Sequence, residues 1–309
     1  MPYYLGIDGG GTKTTCAVGD EIRLLATAIA GPSNVFRVGE QQARESLQDG
    51  VRQACAAAGI IPAQIASTCA GASGAGRPEI AALVSSVLAE ILPQTIHVVG
   101  DMETSLNAAF DNGPGVIVIA GTGSSAYGRD RQGITTRAGG WGFAVGDEGS
   151  AHWIARQAIR AVLRSSDEEQ DTTQNSLLSE FAAALCRTWQ TTSLIDLART
   201  ASAVPPPDFA ELFPVVAASQ DELAVQIKAS AGNELARIAA IVTRRLFPSH
   251  ETDLVPVAMI GGVFRHASAV RESFYNELRR LDPRVTIHPQ VVEPVEGALR
   301  MARRAAANS

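Results

Sequence analysis

The chain of 309 residues is 46% hydrophobic and 19% charged, which provides ample material for a buried core and excludes intrinsic disorder as the default state. Its 26 Lys and Arg residues against 32 Asp and Glu residues give a formal net charge of −6, which argues against nucleic-acid binding as the main function. No apolar stretch approaches the ~18 residues of a membrane span, and the N-terminus has neither a basic region nor a cleavage site. We therefore expect a cytoplasmic α/β protein without membrane or nucleic-acid partners.

The four cysteines show no metal-binding or redox pattern. They are far apart, form no C-x-x-C pair and have no neighbouring histidine at a metal-ligand spacing. Free cysteines of this kind are usually small core residues in a reducing compartment, and we expect that state here. The residues are Cys16, Cys55, Cys69 and Cys186.

The N-terminal third predicts the element order β-β-β-α-β-α-β. Apolar runs rich in β-branched residues indicate strands, and apolar residues at helical spacing indicate helices. Strands are expected at residues 3–7, 14–18, 22–29, 65–70 and 95–99, and helices at 41–58 and 78–92. Small, glycine-rich turns follow the first and fourth strands, at 9–13 and 71–76.

A dense turn cluster at 111–115 then marks a domain boundary. After it, the pattern of strand, Gly/Thr-rich turn and strand begins again at 116–128, which indicates a weak internal repeat. At about 150 residues per domain, the length fits two domains. From residue 150 onward, helices are expected at 151–164, 221–247 (with Gly232 as a break point), 267–281 and 294–306, strands at 255–260 and 285–288, and an exposed loop at 165–176.

Three small-residue turns, at 9–13, 121–124 and 261–263, each follow a buried-type strand. Glycine lets the backbone approach a ligand with its N–H groups pointing at it, and neighbouring Thr, Ser and Lys side chains add donors for a phosphate. Each turn alone is equally well explained as a tight structural turn. Three such turns at strand ends in one chain favour a nucleotide-binding protein.

Two common phosphate-binding motifs, the P-loop and the Rossmann fingerprint, are excluded by the residues in and after each match. The P-loop requires Lys where Thr12 stands, and the segment after Gly11 alternates like a strand. The Rossmann fingerprint is matched literally by residues 121–126, but the turn at 130–133 comes too soon for the helix that it requires. The glycine turns therefore belong to neither motif.

The sequences of these turns resemble those of a known superfamily. Residues 7–14 (IDGGGTKT), with the turns at 121–124 and 261–262, resemble the phosphate and adenosine loops of actin, Hsp70 and the sugar kinases. The segment WGFAVGDEGSA at 141–151 is the most specific match, and it resembles the N-acetylglucosamine kinase group of the BadF/BadG/BcrA/BcrD ATPase family. The resemblance extends over nearly the whole chain.

This resemblance implies an α/β fold of two RNase H-like, actin-like ATPase domains around a central cleft, with ATP bound across it. The first domain would comprise residues 1–113, with a C-terminal helix at 291–309 packing back on it, and the second residues 114–290, with a helical insertion. The implied cofactors are ATP and Mg²⁺, and the implied partner is a small-molecule amino sugar. Relatives of this kind are often homodimers, and a homodimer is expected here.

The activity that the resemblance implies is that of an ATP-dependent amino-sugar kinase, with the 6-hydroxyl of N-acetylglucosamine as the acceptor. Glucosamine or N-acetylmuramic acid is an alternative substrate, because relatives with similar motifs differ around the 2-substituent. A BadF-type activator ATPase is a second alternative, although the scattered cysteines offer no iron–sulfur motif. A sugar-responsive transcription regulator is disfavoured, because the first strand begins at Tyr3 and a DNA-binding segment would have to precede it.

By the same resemblance, Asp101 at the end of the strand at 95–99 is the catalytic base that takes a proton from the sugar hydroxyl. From the residues alone, an N-cap of the helix at 102–110 explains Asp101 equally well. Glu103 competes with it as a base.

The remaining site residues are assigned by the resemblance as well. The sugar would be bound by Asn34, Asp101, Thr122, Trp141, Gly142, Phe143 and Asp147. ATP would be bound by Gly10, Gly11, Thr12, Lys13, Gly121, Thr122, Gly123, Ala218, Gly261 and Gly262, of which Ala218 rests on a loose match. Asp8 would hold Mg²⁺ through water, because magnesium keeps much of its hydration. From the residues alone, Asn34 is also a turn residue, and Asp147 with Glu148 is also a solvated helix start.

Overall fold

A computed structural model describes residues 2–169, 179–248 and 253–307 of the chain. Its contacts divide the chain into two compact units: unit 1 is Met1–Pro114 with Val292–Ser309, and unit 2 is Gly115–Val291. None of the helices in the described ranges combines the length and the apolar composition that a membrane crossing requires.

Each unit begins with three consecutive strands and continues with helices and further strands. The first part of unit 1 contains β1 Tyr3–Gly9, β2 Thr14–Gly19, β3 Leu24–Ala30, α1 Val35–Ala57, β4 Ile65–Ala72, α2 Pro78–Ala89, β5 Ile96–Gly100 and α3 Asp101–Phe110. Unit 2 contains β6 Gly115–Ala120, β7 Ser124–Arg129, β8 Thr135–Gly139, α4 Ala151–Glu169, α5 Glu180–Thr188, α6 Leu194–Ala201, α7 Phe213–Ala218, α8 Glu222–Leu246, β9 Val255–Ile260, α9 Gly262–His266, α10 Ser268–Leu281 and β10 Val285–Val292. The chain then returns to unit 1 with α11 Pro294–Ala307.

The two five-stranded sheets share one strand order. In unit 1 the order is β3-β2-β1-β4-β5, with β1, β2 and β3 antiparallel, β4 parallel to β1, and β5 parallel to β4. In unit 2 the order is β10-β9-β6-β7-β8, with β6, β7 and β8 antiparallel and β9 parallel to β6. The internal repeat and the N-terminal element order predicted from the sequence are therefore confirmed.

The core of unit 1 determines where its polar loops lie. Leu5 and Ile7 on β1 are fully buried, and α11 packs so closely on this strand that a Cβ on Gly6 would lie 2.4 Å from the backbone nitrogen of Leu299. Since β1, β4 and β5 run parallel, their carboxyl ends meet at one edge of the sheet. The loops after these three strands are thus brought together.

Two predictions for the helical part of unit 2 were wrong. Helix α4 continues to Glu169, so the first part of the loop predicted at 165–176 is helical, and residues 170–176 lie outside the described residues. Helix α8 continues through Gly232 without a break. The glycine instead allows close packing of α8 on α10, since a Cβ there would lie 2.5 Å from the carbonyl oxygen of Val270.

Other differences from the predicted elements are smaller. Helix α1 begins at Val35 rather than at residue 41 and contains a kink at Gly39, whose φ is 78°. Strand β8 and helices α5 to α7 were not predicted. All four cysteines are buried and free, as predicted.

Candidate functional site

The first glycine turn, between β1 and β2, is a tight turn with exposed donors. The N–H of Gly10 donates to the carbonyl oxygen of Lys13 at 3.0 Å, and the side chains of Thr12 and Lys13 are exposed. The carbonyl oxygen of Gly10 accepts the N–H groups of Ser33 and Asn34, at 3.1 and 3.2 Å. This turn is therefore fixed to the loop between β3 and α1 and presents a hydroxyl and an ammonium group to solvent.

Glycine is required at the start of this turn because the neighbouring loop lies against it. A Cβ on Gly9 would lie 2.8 Å from Oγ of Ser33, whose position is fixed by Oγ1 of Thr14 at 2.8 Å. Asn34 caps α1, since its Oδ1 accepts the N–H of Phe36 at 3.1 Å. The capping bond occupies one acceptor site of the Asn34 amide and leaves its NH₂ group as a donor for a ligand.

Asp101 is held at the carboxyl end of β5 by two donors. It is the first residue of α3 and Gly100 is the N-cap, so the N-cap interpretation of Asp101 is wrong. Its Oδ2 accepts the hydroxyl of Ser73 at 2.6 Å, and its Oδ1 accepts the N–H of Met102 at 3.0 Å. Glu103, the competing carboxylate, is exposed on α3.

Asp8 at the end of β1 carries a strongly shifted carboxyl group. Burial and the negative charge of Asp101 raise its pKa from 3.8 to about 7, the charge of Glu293 adds to the shift, and Lys13 opposes it. A hard cation beside these carboxylates would relieve their repulsion, and carboxylate oxygen is a ligand that Mg²⁺ accepts. Asp8 therefore fits a role as one carboxylate donor to a hydrated divalent cation.

The second glycine turn, in unit 2, is fixed to the start of α4. The N–H of Gly121 donates to the carbonyl oxygen of Gly123 at 2.9 Å, and the N–H of Ala151 donates to the carbonyl oxygen of Gly121, also at 2.9 Å. Oγ of Ser124 donates to the carbonyl oxygen of Glu148 at 2.7 Å. These bonds join the turn to the segment at 147–151 that the sequence singled out.

Asp147 is built into this turn. It is only 8% exposed, so the alternative of a solvated helix start is wrong, and α4 begins later, at Ala151. Its Oδ1 accepts the N–H of Gly142 at 3.2 Å. Burial raises the pKa of Asp147, and the N–H groups of Gly142 and Ser124 oppose that shift. A carboxylate is thus held directly beside the second glycine turn.

Two aromatic side chains before Asp147 remain accessible. Trp141 is 74% exposed, and the guanidinium of Arg137 lies 5.5 Å from its ring centroid. Phe143 is half-exposed; its ring lies 4.8 Å from that of His152, and its carbonyl oxygen accepts a bond from Arg156. Exposed rings on an anchored loop are suited to contacting the apolar face of a sugar.

The third glycine turn adjoins the second. Gly261 has a φ of 106°, and a Cβ there would lie 2.3 Å from the carbonyl oxygen of Ala120, the residue before the second turn. Gly262 begins α9. Ala218 ends α7, where Nζ of Lys228 donates to the carbonyl oxygens of the two neighbouring residues, Ala217 and Ser219.

Sequence reasoning missed two polar residues of unit 1, Arg37 in the first turns of α1 and Ser73 in the loop after β4. A Cβ on Gly11 would lie 3.6 Å from Nη1 of Arg37, so a second cation accompanies Lys13 at the first glycine turn. Ser73, which binds Asp101, follows β4 in a small-residue run. The sequence offers one signal for a role in the site, which is that each residue follows closely after a predicted strand.

Two sheets of identical strand order, each with a glycine turn after its first strand, define the two-unit α/β architecture of the actin-like ATPases. Comparison with known families makes the assignment specific. The chain belongs to the BadF/BadG/BcrA/BcrD ATPase family, whose model matches residues 5–302.

Individual relatives are described as amino-sugar kinases. The chain is 34% identical over 175 residues to an N-acetylmuramic acid/N-acetylglucosamine kinase of Clostridium acetobutylicum, a match that spans 56% of this chain and 57% of that protein. It is 28% identical over 315 residues to an N-acetyl-D-glucosamine kinase of Dictyostelium discoideum, with 97% of each chain covered. A crystal structure from Chromobacterium violaceum, described as a candidate N-acetylglucosamine kinase, matches with a TM-score of 0.72 at 26% identity, covering 98% of this chain and 99% of that one.

Proposed function

We propose that this protein transfers the γ-phosphoryl group of ATP to the 6-hydroxyl of N-acetylglucosamine. The observation that carries the proposal is the geometry of Asp101, a strand-end carboxylate held by Ser73 and Met102, since Ser73 also binds the loop of the first glycine turn. Such a carboxylate, held near donors suited to phosphate, matches what transfer to an alcohol requires. The names of two relatives that match over nearly their full length support phosphorylation of N-acetylglucosamine.

In this proposal the glycine turns bind the nucleotide. The backbone N–H of Gly11, the hydroxyl of Thr12 and the ammonium of Lys13 bind the β- and γ-phosphates, and Arg37 adds a second positive charge there. Gly10 contributes by shaping the turn around the phosphates, because its own N–H is bonded to the carbonyl oxygen of Lys13. In unit 2, the residues Gly121, Thr122 and Gly123 bind phosphate, and Gly261, Gly262 and Ala218 border the adenosine. The close approach of Gly261 to Ala120 supports joint use of the second and third turns.

Asp8 would hold Mg²⁺, through water. Within the described ranges, no group of three or more His, Cys, Asp and Glu side chains is placed to bind a metal, so Asp8 would share the ion with water and phosphate oxygens. When bound with ATP, Mg²⁺ supplies positive charge that offsets the charge developing on the phosphates.

Asp101 acts as the general base. As the sugar O6 forms its bond to the γ-phosphorus, the bond from that phosphorus to the β–γ bridging oxygen breaks and ADP leaves with the electron pair. The proton of the 6-hydroxyl passes to the Asp101 carboxylate. The products are the sugar 6-phosphate and ADP.

The sugar would be bound by polar and aromatic side chains of the loops described above. Asp147 accepts hydrogen bonds from ring hydroxyls, Gly142 allows close backbone approach, and Trp141 and Phe143 contact the sugar's apolar face. Asn34 and Thr122 complete the proposed set. The homodimer expected from the resemblance remains a prediction.

The experiment that tests the function measures ADP release by the purified protein with ATP and Mg²⁺. The acceptors are N-acetylglucosamine, N-acetylmannosamine, glucosamine, N-acetylmuramic acid and glucose, and the position of the phosphate is read from phosphorus–proton couplings in the NMR spectrum of the product. We expect the highest kcat/KM with N-acetylglucosamine and phosphate on O6. A preference for glucosamine or N-acetylmuramic acid would replace N-acetylglucosamine as the proposed substrate. ATP hydrolysis that no sugar stimulates would favour an activator ATPase.

A further inference from the structure

We propose that Ser73 is a positioning residue that orients the Asp101 carboxylate toward the acceptor hydroxyl, an inference that rests on the function proposed above. Ser73 lies in the loop after β4, and Asp101 is the first residue of α3. Their side chains meet at 2.6 Å, which is within the range of charge-assisted O–H···O⁻ bonds. Ser73 would act through Asp101 and not on the substrate.

The direction of this hydrogen bond follows from chemistry. An ionised carboxylate only accepts, so the Ser73 hydroxyl donates to Oδ2 of Asp101, and the N–H of Met102 donates to Oδ1. With one donor on each oxygen, rotation about the Cβ–Cγ bond is restricted. Each oxygen has further lone-pair capacity with which to accept the proton of a sugar hydroxyl.

The hydroxyl of Ser73 is not what holds its loop in place. The backbone N–H of Ser73 donates to the carbonyl oxygen of Gly9 at 2.9 Å, and the N–H of Ala75 donates to that of Ala72 at 3.0 Å. Both bonds are retained when Ser73 is replaced by Ala. The replacement therefore mainly removes the hydrogen bond from the Ser73 hydroxyl to the carboxylate of Asp101.

A base that turns away from the acceptor impairs the chemical step more than binding. Donor groups fixed before the reaction lower the barrier because they need no reorganisation during it. Removal of the Ser73 hydroxyl leaves Asp101 with only its local bond to the N–H of Met102, so rotation of the carboxylate is less restricted. We therefore expect kcat to fall while the KM values for ATP and sugar change little.

The test is a double-mutant cycle of Ser73→Ala and Asp101→Asn, measured by transfer of labelled phosphate to N-acetylglucosamine. In the wild-type background, Ser73→Ala is expected to lower kcat about tenfold with KM unchanged within about twofold. In the Asp101→Asn background, the same change is expected to alter kcat by less than about twofold, because there is no longer a base to orient. Ser73→Thr, which keeps the hydroxyl, should restore most of the turnover.

Ser86→Ala is the matched control, because the exposed Ser86 hydroxyl donates within its own helix, to the carbonyl oxygen of Leu83 at 2.8 Å. It should leave kcat unchanged. Equal losses from Ser73→Ala in both backgrounds, or no loss in the first, would overturn the positioning role. If the wild-type protein transfers phosphate to no amino sugar, the proposed function itself fails. If the wild-type protein is active but the effects of Ser73→Ala and Asp101→Asn are additive, the function stands and the inference about Ser73 fails.

Discussion

The carboxylate of Asp147 occupies the space beside Gly123 where any larger side chain would begin: a Cβ on Gly123 would lie 2.7 Å from Oδ2 of Asp147. The second glycine turn and Asp147, the residue proposed to bind the sugar, are thus in direct contact within unit 2. A larger residue at position 123 would have to displace this carboxylate from its hydrogen bond with the N–H of Gly142. This coupling makes Gly123 a test of the sugar site.

Gly123→Ala is expected to displace the Asp147 carboxylate and to raise the KM for the sugar about tenfold. Steady-state kinetics with N-acetylglucosamine at saturating ATP measures the effect. Gly76→Ala serves as a control, because a Cβ at that exposed position would meet no atom within 4 Å and Gly76 has no proposed role in binding. A Gly123→Ala protein with an unchanged KM for sugar would separate Asp147 from substrate binding.

Asp147→Ala is expected to weaken the binding of sugar more than that of the nucleotide, because Asp147 is proposed to accept hydrogen bonds from sugar hydroxyls. Isothermal titration calorimetry with each ligand measures the two affinities, with a non-hydrolysable ATP analogue for the nucleotide. Weaker nucleotide affinity with normal sugar affinity would contradict the assignment.

Asp101→Asn is expected to lower kcat at least about 100-fold while ATP affinity stays nearly constant, because the amide cannot accept the proton of the acceptor hydroxyl. Glu103→Gln is the matched control, since Glu103 is an exposed carboxylate on the same helix. Initial rates of phosphate transfer and nucleotide affinity are measured for both variants. Near-normal turnover of the Asp101 variant would remove Asp101 from its role as the base.

Asp8→Asn is expected to increase stability at pH 8 in the absence of metal and nucleotide. The folded protein raises the pKa of Asp8 from 3.8 to about 7, so folding favours the protonated form, and the stability contribution of Asp8 falls as the pH rises through this range. The shift corresponds to an upper limit of about 4 kcal/mol in the free energy of unfolding.

Urea unfolding of the two proteins in EDTA, at several pH values, measures this difference. We expect Asp8→Asn to be the more stable protein at pH 8 and the advantage to shrink as the pH falls from 7 toward 4. The same variant should lose phosphate transfer, since Asp8 is proposed to hold Mg²⁺. An advantage that does not vary with pH would mean that titration of Asp8 is not its cause.

Much of the architecture could be predicted because its signals are local. Buried strands such as β9 consist of unbroken apolar residues, and glycine turns follow them, so strand positions and the repeat could be predicted from the sequence. Strand β8 could not, because only Ala138 in it is buried and its sequence shows no apolar alternation. An edge strand with one buried residue carries little pattern.

The candidate site was predictable only where it follows a motif. The partners of Asp101 and Gly11 are Ser73 and Arg37, which the sequence separates from them by 28 and 26 positions. Such pairs depend on the order of strands in the sheet, which no local pattern encodes. The tight space around Gly232 was missed for the same reason, since it depends on the packing of α8 against α10.

Helix α11 gives unit 1 a particular order of assembly during synthesis. Tyr4 and Ala17 form a small apolar cluster with Val295, Leu299 and Ala302 of this helix. These α11 residues leave the ribosome after every strand of both sheets, whereas unit 2 is contiguous in the chain. Nascent β1 therefore keeps one apolar face uncovered until translation reaches α11, and a ribosome stalled before that point would display a segment that chaperones can bind.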